Sequence, residues 1–197
     1  MEEQINQVEE QEKFDLKKEL FELAKTFIVC LILVKLLTTF VICPVRVDGN
    51  SMYPTLHDES LGIVNLFSVK FGQIERQDIV VVRYKSENES WVKRVIGLPG
   101  DRIACRNNKV YINGEVLEEP YLHTVYVSEE TNKRGYFTTD FEEIILKENE
   151  YFLMGDNRVM SRDSRMVGVF HKEDIVGKDI YVFFPFEHMG IYTNSSN

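Results

Sequence analysis

The sequence predicts a mainly β protein, an antiparallel β-sheet domain that follows a single N-terminal transmembrane helix. Three observations carry this. Residues 26–43 form an 18-residue apolar run whose only charge is Lys35, and Pro44 closes it. Beyond it, short runs rich in Val, Ile, Tyr and Phe recur between turn residues, the texture of strands. One pair of runs flanks Asn113-Gly114, the dipeptide best suited to a two-residue hairpin turn.

Residues 1–25 carry eight acidic residues against four lysines, with a rough helical stripe, and read as a charged cytoplasmic tail or lead-in helix. Eighteen helical residues rise about 27 Å, close to the roughly 30 Å of a bilayer core. Lys35 costs about 2.5–3.5 kcal/mol near the centre of a span. Snorkelling reduces that cost, and the surrounding Leu, Ile, Val and Phe offset it. No short basic region precedes the run and no Ala-x-Ala-like site follows it, so it reads as a retained anchor over 26–43. Lys13, Lys17, Lys18 and Lys25 precede the run, and only Arg46 follows it closely. This asymmetry predicts a single-pass cell-membrane protein with its N-terminus cytoplasmic and its main domain extracellular. A phospholipid membrane is then one partner.

The main domain is expected over 44–190, with 191–197 as a C-terminal tail. Val45 and Val47 alternate with Arg46 and Asp48, and further strands are expected at Leu61–Leu66, Asp78–Tyr84, Trp91–Ile96, Lys109–Ile112, Tyr151–Met154 and Ile180–Phe184. Residues 102–150 are richer in charge and less periodic, and read as an inserted segment. Within it, Phe141–Leu146 fits either a strand or a short helix capped by Thr139 or Asp140. Phe183, Phe184 and Phe186 fit either the core or a surface patch that meets lipid. Strand alternation sets Phe183 and Phe184 on opposite faces.

Composition excludes several functions. A net charge of −9, with no block of Lys and Arg, argues against nucleic acid as a partner. Three cysteines are too few for a disulfide framework, and no metal-ligand spacing occurs, so no metal or cofactor is expected. The four histidines are scattered. His57 follows Ser51 by only six residues, too close in one turn to fold back easily onto its hydroxyl.

Three stretches carry chemistry. Ser51 stands in Gly49-Asn50-Ser51-Met52-Tyr53-Pro54, where Pro54 restrains the turn and Gly49 permits conformations a Cβ would block. Such a turn holds a hydroxyl and a backbone N–H in fixed relation, as a nucleophile with an oxyanion site requires. Taken alone, a plain surface turn explains it equally. Lys93 lies in an apolar run beside Arg94, so one basic side chain points inward or the strand lies at an edge. An inward Lys93 is desolvated, and its pKa falls toward the range where a lysine acts as a base. Residues 155–165 are dense in hydrogen-bonding groups. Asp163 and Arg165 can pair across a turn, and the Ser161 hydroxyl can hold a neutral amine, although a polar surface loop has the same composition.

Ser-Met-Tyr-Pro-Thr-Leu at 51–56, Asp-Ile-Val-Val-Val at 78–82, Lys-Arg-Val-Ile-Gly-Leu-Pro-Gly-Asp at 93–101 and Gly-Asp-Asn-Arg-x-x-Ser-x-Asp-Ser-Arg at 155–165 follow one another here. In that order the chain resembles the type I bacterial signal peptidases, in their compact Gram-positive form, from the apolar run to about residue 190. The resemblance implies a Ser/Lys endopeptidase that removes signal peptides from exported preproteins after a small-x-small site. It implies Ser51 as nucleophile, Lys93 as general base, Ser161 as the hydroxyl that orients the lysine, and Asp163 with Arg165 as a supporting ion pair. The Ser51 N–H would be one oxyanion donor. Some members carry a second donor, a serine, where Gly49 stands here; a water, another backbone group or nothing would then fill that role. Two other readings stand beside this one. A soluble, self-cleaving Ser/Lys repressor-type protease would lack the 26–43 run, and a catalytically inactive membrane-anchored binding module would not need both Ser51 and Lys93.

Overall fold

Leu, Lys and Glu, good helix formers, lead into the apolar run, and helix α1 spans Leu16–Phe40 without a break. The computed structural model describes residues 16–194, in two units divided after Phe40. Residues 1–15 of the expected tail, and the last three residues, lie outside the described residues. The apolar side chains of α1, Phe27, Ile28, Leu31, Ile32 and Leu36 among them, are exposed.

The helix and the apolar run do not coincide, which corrects the expected span over 26–43. Among the described residues, no helix is long and apolar enough to cross a membrane. The helical part of the run stops at Phe40, and those fifteen residues rise about 22 Å against the roughly 30 Å of a bilayer core. It contains Lys35, and the preceding turns carry Lys17, Lys18, Glu19, Glu22 and Lys25. Pro44 is the cause. It disfavours the α region at Cys43, so Ile42 and Cys43 enter a strand instead.

That strand, β1 (Ile42–Arg46), opens the second unit. It is followed by β2 (Leu61–Asn65), the short helix α2 (Phe67–Phe71), β3 (Ile79–Tyr84) and β4 (Glu89–Gly97). Strands β5 (Arg102–Arg106), β6 (Lys109–Ile112) and β7 (Glu115–Val116), helix α3 (Val125–Arg134) and β8 (Phe141–Ile145) come next. Then follow β9 (Glu150–Met154), α4 (Ser164–Val167), β10 (Phe170–His171), β11 (Ile175–Phe184) and β12 (Gly190–Tyr192). The larger sheet has the order β1-β2-β11-β3-β4-β9-β10, with β12 on β11, and β7-β6-β5-β8 form a smaller one. Every pairing is antiparallel.

The larger sheet is covered on both faces. Val80 and Val82 join Val95, Leu153 and Ile175 in one cluster, while Ile79 and Val81 join Met52, Leu56, Val64 and Ile180 in another. This is why Ile79-Val80-Val81-Val82 is apolar without alternation. Phe152 and Met154 of β9 pack instead with Ile103, Cys105 and Ile112 beneath the smaller sheet. Asn113 and Gly114 both take positive φ, 54° and 92°, as the hairpin turn between β6 and β7 requires.

Two open readings close here. Residues 141–145 are a strand, and a register shift opposite Ile103 and Cys105 lets Phe141 and Ile144 face the core three positions apart. That spacing imitates a helix. Phe183, Phe184 and Phe186 are not core; all are exposed, Phe186 by 77%. A shift between Val182 and Phe184 breaks the alternation, so neighbouring phenylalanines both escape burial. Strand β12 carries the sheet to Tyr192, past residue 190.

Candidate active site

Met52 and Leu56, both fully buried, plug the serine turn into the core, and Leu56 N–H donates to the Met52 carbonyl at 2.9 Å. Ser51 is left at the mouth of a cleft of about 610 Å³, lined by Asp48, Trp91, Lys93, Met160 and Arg162 among others. Gly49 enters the turn at φ 85°, and its N–H donates to Asp58 Oδ1 at 2.7 Å. A Cβ there would meet nothing within 4 Å, so the glycine is needed for its φ and not for space. Gly49→Ala should cost roughly 1–2 kcal/mol of strain and lower kcat. Gly49→Ser should recover part of that loss if its hydroxyl reaches the oxyanion. Equal kcat for the two variants on one peptide would show that no side chain at 49 reaches it.

Strand β4 delivers Lys93. Its side chain is buried, its Nζ lies 2.9 Å from Ser51 Oγ, and it donates to the Val92 carbonyl at 3.1 Å. Burial lowers the amine from an ordinary 10.5 to about 8, against the opposing pull of Asp163 and Asp156. A neutral amine at that distance can take the proton of the hydroxyl. The expectation that only one of Lys93 and Arg94 points inward is corrected, because both are buried. β4 lies between β3 and β9 and has no free edge.

Arg94 faces the other way, its Nε and Nη2 donating to Asp156 at 2.8 and 2.7 Å, with both side chains fully inaccessible. Its guanidinium also lies 3.8 Å from the centroid of the Tyr121 ring. Burial opposes its charge, and Asp156 beside it raises its pKa above the ordinary value.

The loop after β9 closes the site. Asp163 caps α4 and accepts two hydrogen bonds of 2.8 Å from Arg165 and one of 3.0 Å from Gly155 N–H. Burial would raise its carboxyl, but Arg165 and the Gly155 N–H hold it below the ordinary value. Asn157 donates from its backbone to the Ser51 carbonyl at 3.1 Å and from Nδ2 to the Asn50 carbonyl at 2.9 Å. Ser161 is buried beside Asp163, but its Oγ makes no hydrogen bond of ordinary geometry, to Lys93 or to any other described group. Gly155 permits the approach, since a Cβ there would fall 2.2 Å from Ser161 Oγ and 2.3 Å from the Ser51 carbonyl.

Of the sequence-predicted residues, Gly49, Ser51 and Lys93 thus line one cleft, while Asp163 and Arg165 lie close enough to act on the charge of Lys93 and Ser161 is buried in the same loop. Sequence reasoning missed Asp156, Asn157 and Thr55, whose hydroxyl donates to Asp156. It also missed Arg158, buried and paired with Glu119 from the segment between β7 and α3. The run Gly155-Asp156-Asn157-Arg158 was a signal for three of these; nothing local marks Glu119. Among the described residues, no group of three or more His, Cys, Asp or Glu is placed to hold a metal ion.

If Lys93 is the base, kcat/KM should rise with pH through a midpoint near 8, because the protonated amine below it cannot accept a proton. A midpoint near the ordinary lysine value would mean a solvated Lys93.

Residues 20–184 match the family described as signal peptidase, peptidase S26. The chain is 40% identical to signal peptidase I S of Bacillus subtilis (strain 168) over 174 residues, 88% of this chain and 94% of that protein. It is 41% identical to a signal peptidase I of Bacillus amyloliquefaciens over 182 residues, 91% and 96% of the two chains. A solved signal peptidase I from Enterococcus faecalis V583 is 31% identical and covers 54% of this chain and 96% of its own, with a TM-score of 0.49. With a family match over most of its length and relatives covered almost end to end, the chain belongs to the signal peptidase I family of S26 serine peptidases.

Proposed function

We propose that this peptidase releases exported preproteins from their signal peptides through a Ser51/Lys93 dyad at a membrane surface. The observation that carries the reading is the 2.9 Å approach of a buried lysine amine to a serine hydroxyl at the mouth of an open cleft.

Neutral Lys93 takes the Ser51 proton as Oγ attacks the scissile carbonyl carbon, and the carbonyl oxygen becomes an oxyanion that the Ser51 N–H can meet. The ammonium then gives its proton to the departing amine, leaving an acyl-enzyme. Lys93, neutral again, takes a proton from water as that water attacks the ester, and returns it to Ser51 Oγ. Asp163 with Arg165 braces the loop that carries Ser161, and Asn157 fixes the serine turn from the same loop. The small-x-small preference is carried over from the family resemblance.

The exposed apolar side chains of α1 support contact with lipid, as do, separately, the exposed Phe183, Phe184 and Phe186. The peptidase domain is placed on the outer face, where the mature part of a translocated preprotein emerges. The test uses the full chain in detergent with a preprotein carrying a small-x-small site. Wild type should cut once after that site, and Ser51→Ala should not. Cutting by a folded Ser51→Ala variant would overturn the dyad. Failure of the full chain to sediment with phospholipid vesicles would overturn the membrane placement.

A further inference from the structure

His57 closes the serine turn, and its ring lies face to face with that of His188, 3.6 Å between centroids and 6° between planes. His188 belongs to the single 3-10 turn Phe186–His188 that joins β11 to β12. Tyr53 meets His57 edge-on at 5.2 Å and meets Tyr126 edge-on at 4.7 Å. The Tyr126 hydroxyl donates to Asn157 Oδ1 at 3.1 Å, and Asn157 holds the carbonyls of Ser51 and Asn50. An unbroken line of contacts therefore runs from His188 to the backbone of Ser51.

We infer that the His57–His188 stack is a proton-sensitive clasp that positions the serine turn, holding it while His57 is neutral and slackening when His57 takes up a proton. The inference rests on the Ser51/Lys93 reading above. Neutral imidazoles stack as other flat rings do, whereas two imidazolium rings at this separation repel. The other titratable groups around the cavity they share, about 370 Å³, are Tyr121, His123 and Tyr192, and among the described residues no carboxylate lines it. Burial raises both tyrosine hydroxyls above their ordinary value, so they stay neutral. Asp58, next in the chain, is engaged by the N–H groups of Gly49 and Glu59, and Glu187 beside His188 is exposed.

Burial, and then the neighbouring His188, hold the His57 pKa below its ordinary 6.5. A base with a lowered folded pKa contributes stability that is whole above 6.5 and is lost as pH falls through the folded value. The clasp therefore slackens on the acid side of 6.5, well separated from the Lys93 transition.

The experiment is the pH profile of kcat/KM for the full chain on one peptide, with folding followed by circular dichroism at each pH. Wild type should fall with unit slope below the Lys93 midpoint, and more steeply than that at some point on the acid side of 6.5, where His57 takes up a second proton. The double variant His57→Phe, His188→Phe keeps a stacked pair that cannot titrate and should hold unit slope throughout. His188→Ala should lower kcat about threefold to tenfold at alkaline pH, the scale of a lost aromatic pair, with the Lys93 midpoint unmoved. His188→Phe should restore it. Unit slope in wild type, or the same steepening in the Phe/Phe variant, would overturn the clasp. Failure of the dyad reading looks different, since the midpoint near 8 would then be missing from every variant.

Discussion

Replacing Lys93 with methionine is expected to abolish preprotein cleavage and, at neutral pH, to leave a protein that resists urea better than wild type. The loss follows from removing the amine that lies 2.9 Å from Ser51 Oγ. Positioned bases contribute about 10²–10⁴-fold, and one that acts together with a nucleophile can contribute more. Lys93→Arg should be nearly as inactive, since guanidinium does not give up its proton at working pH.

The gain in stability follows from the same burial. The unfolded chain binds a proton at Lys93 up to the ordinary 10.5, but the folded protein does so only up to about 8. Between those values the unfolded state holds more protons, so stability rises with pH across the window, and the whole penalty is present below it. That penalty is about 3 kcal/mol at neutral pH, and methionine removes it while filling most of the same space. Urea midpoints of the two proteins at pH 7 and at pH 10.5 check this. The difference should shrink at the higher pH, and an equal or lower midpoint for Lys93→Met at pH 7 would mean that the amine is not penalised.

The second large effect is on the fold. Asp156→Ala should destabilise the domain by about 3–5 kcal/mol, because it leaves the Arg94 guanidinium charged, buried and without its carboxylate. A domain of ordinary stability has roughly 5–15 kcal/mol in all, so the variant should unfold far earlier in urea. The double replacement Arg94→Leu, Asp156→Leu should cost much less than the two single losses added together, since no charge is then stranded. Activity should fall in Asp156→Ala as well, because Thr55 of the serine turn donates to the same carboxylate. A loss below about 1 kcal/mol would show that the Gln77 carbonyl, which accepts from Arg94 Nη1 at 2.8 Å, and the Tyr121 ring suffice to hold Arg94.

What the sequence disclosed depended on the range of each interaction. Asn113-Gly114 declares its turn because only the two residues' own φ values matter. Ser51 and Lys93 are legible as unusual residues in their settings, a hydroxyl in a rigid turn and a cation in an apolar strand. Their meeting is not, since 42 residues separate them. Glu119 and Tyr121 bear on Arg158 and Arg94 across still other stretches, with no periodicity to betray them. Arg94 was misjudged because alternation predicts a dry face and a wet one, and a strand in a sheet covered on both faces has no wet face. The helix end was misread because Pro44 acts backward, ending the helix several residues before it appears.

The order of strands has a consequence for when the protein becomes active. β1 and β2 flank the turn that carries Ser51, and β3 and β4 carry Lys93, yet within the larger sheet these two pairs touch only through β11, Ile175–Phe184. A chain emerging from the ribosome is thus expected to lack the strand that joins these two pairs in the sheet until nearly all of it has been made. Local hairpins close early and long-range pairings late. The frame around the proposed dyad is therefore expected to close in one late step, when β11 slots between its two halves. On the Ser51/Lys93 reading, chains cut short before β11 are expected to be inactive.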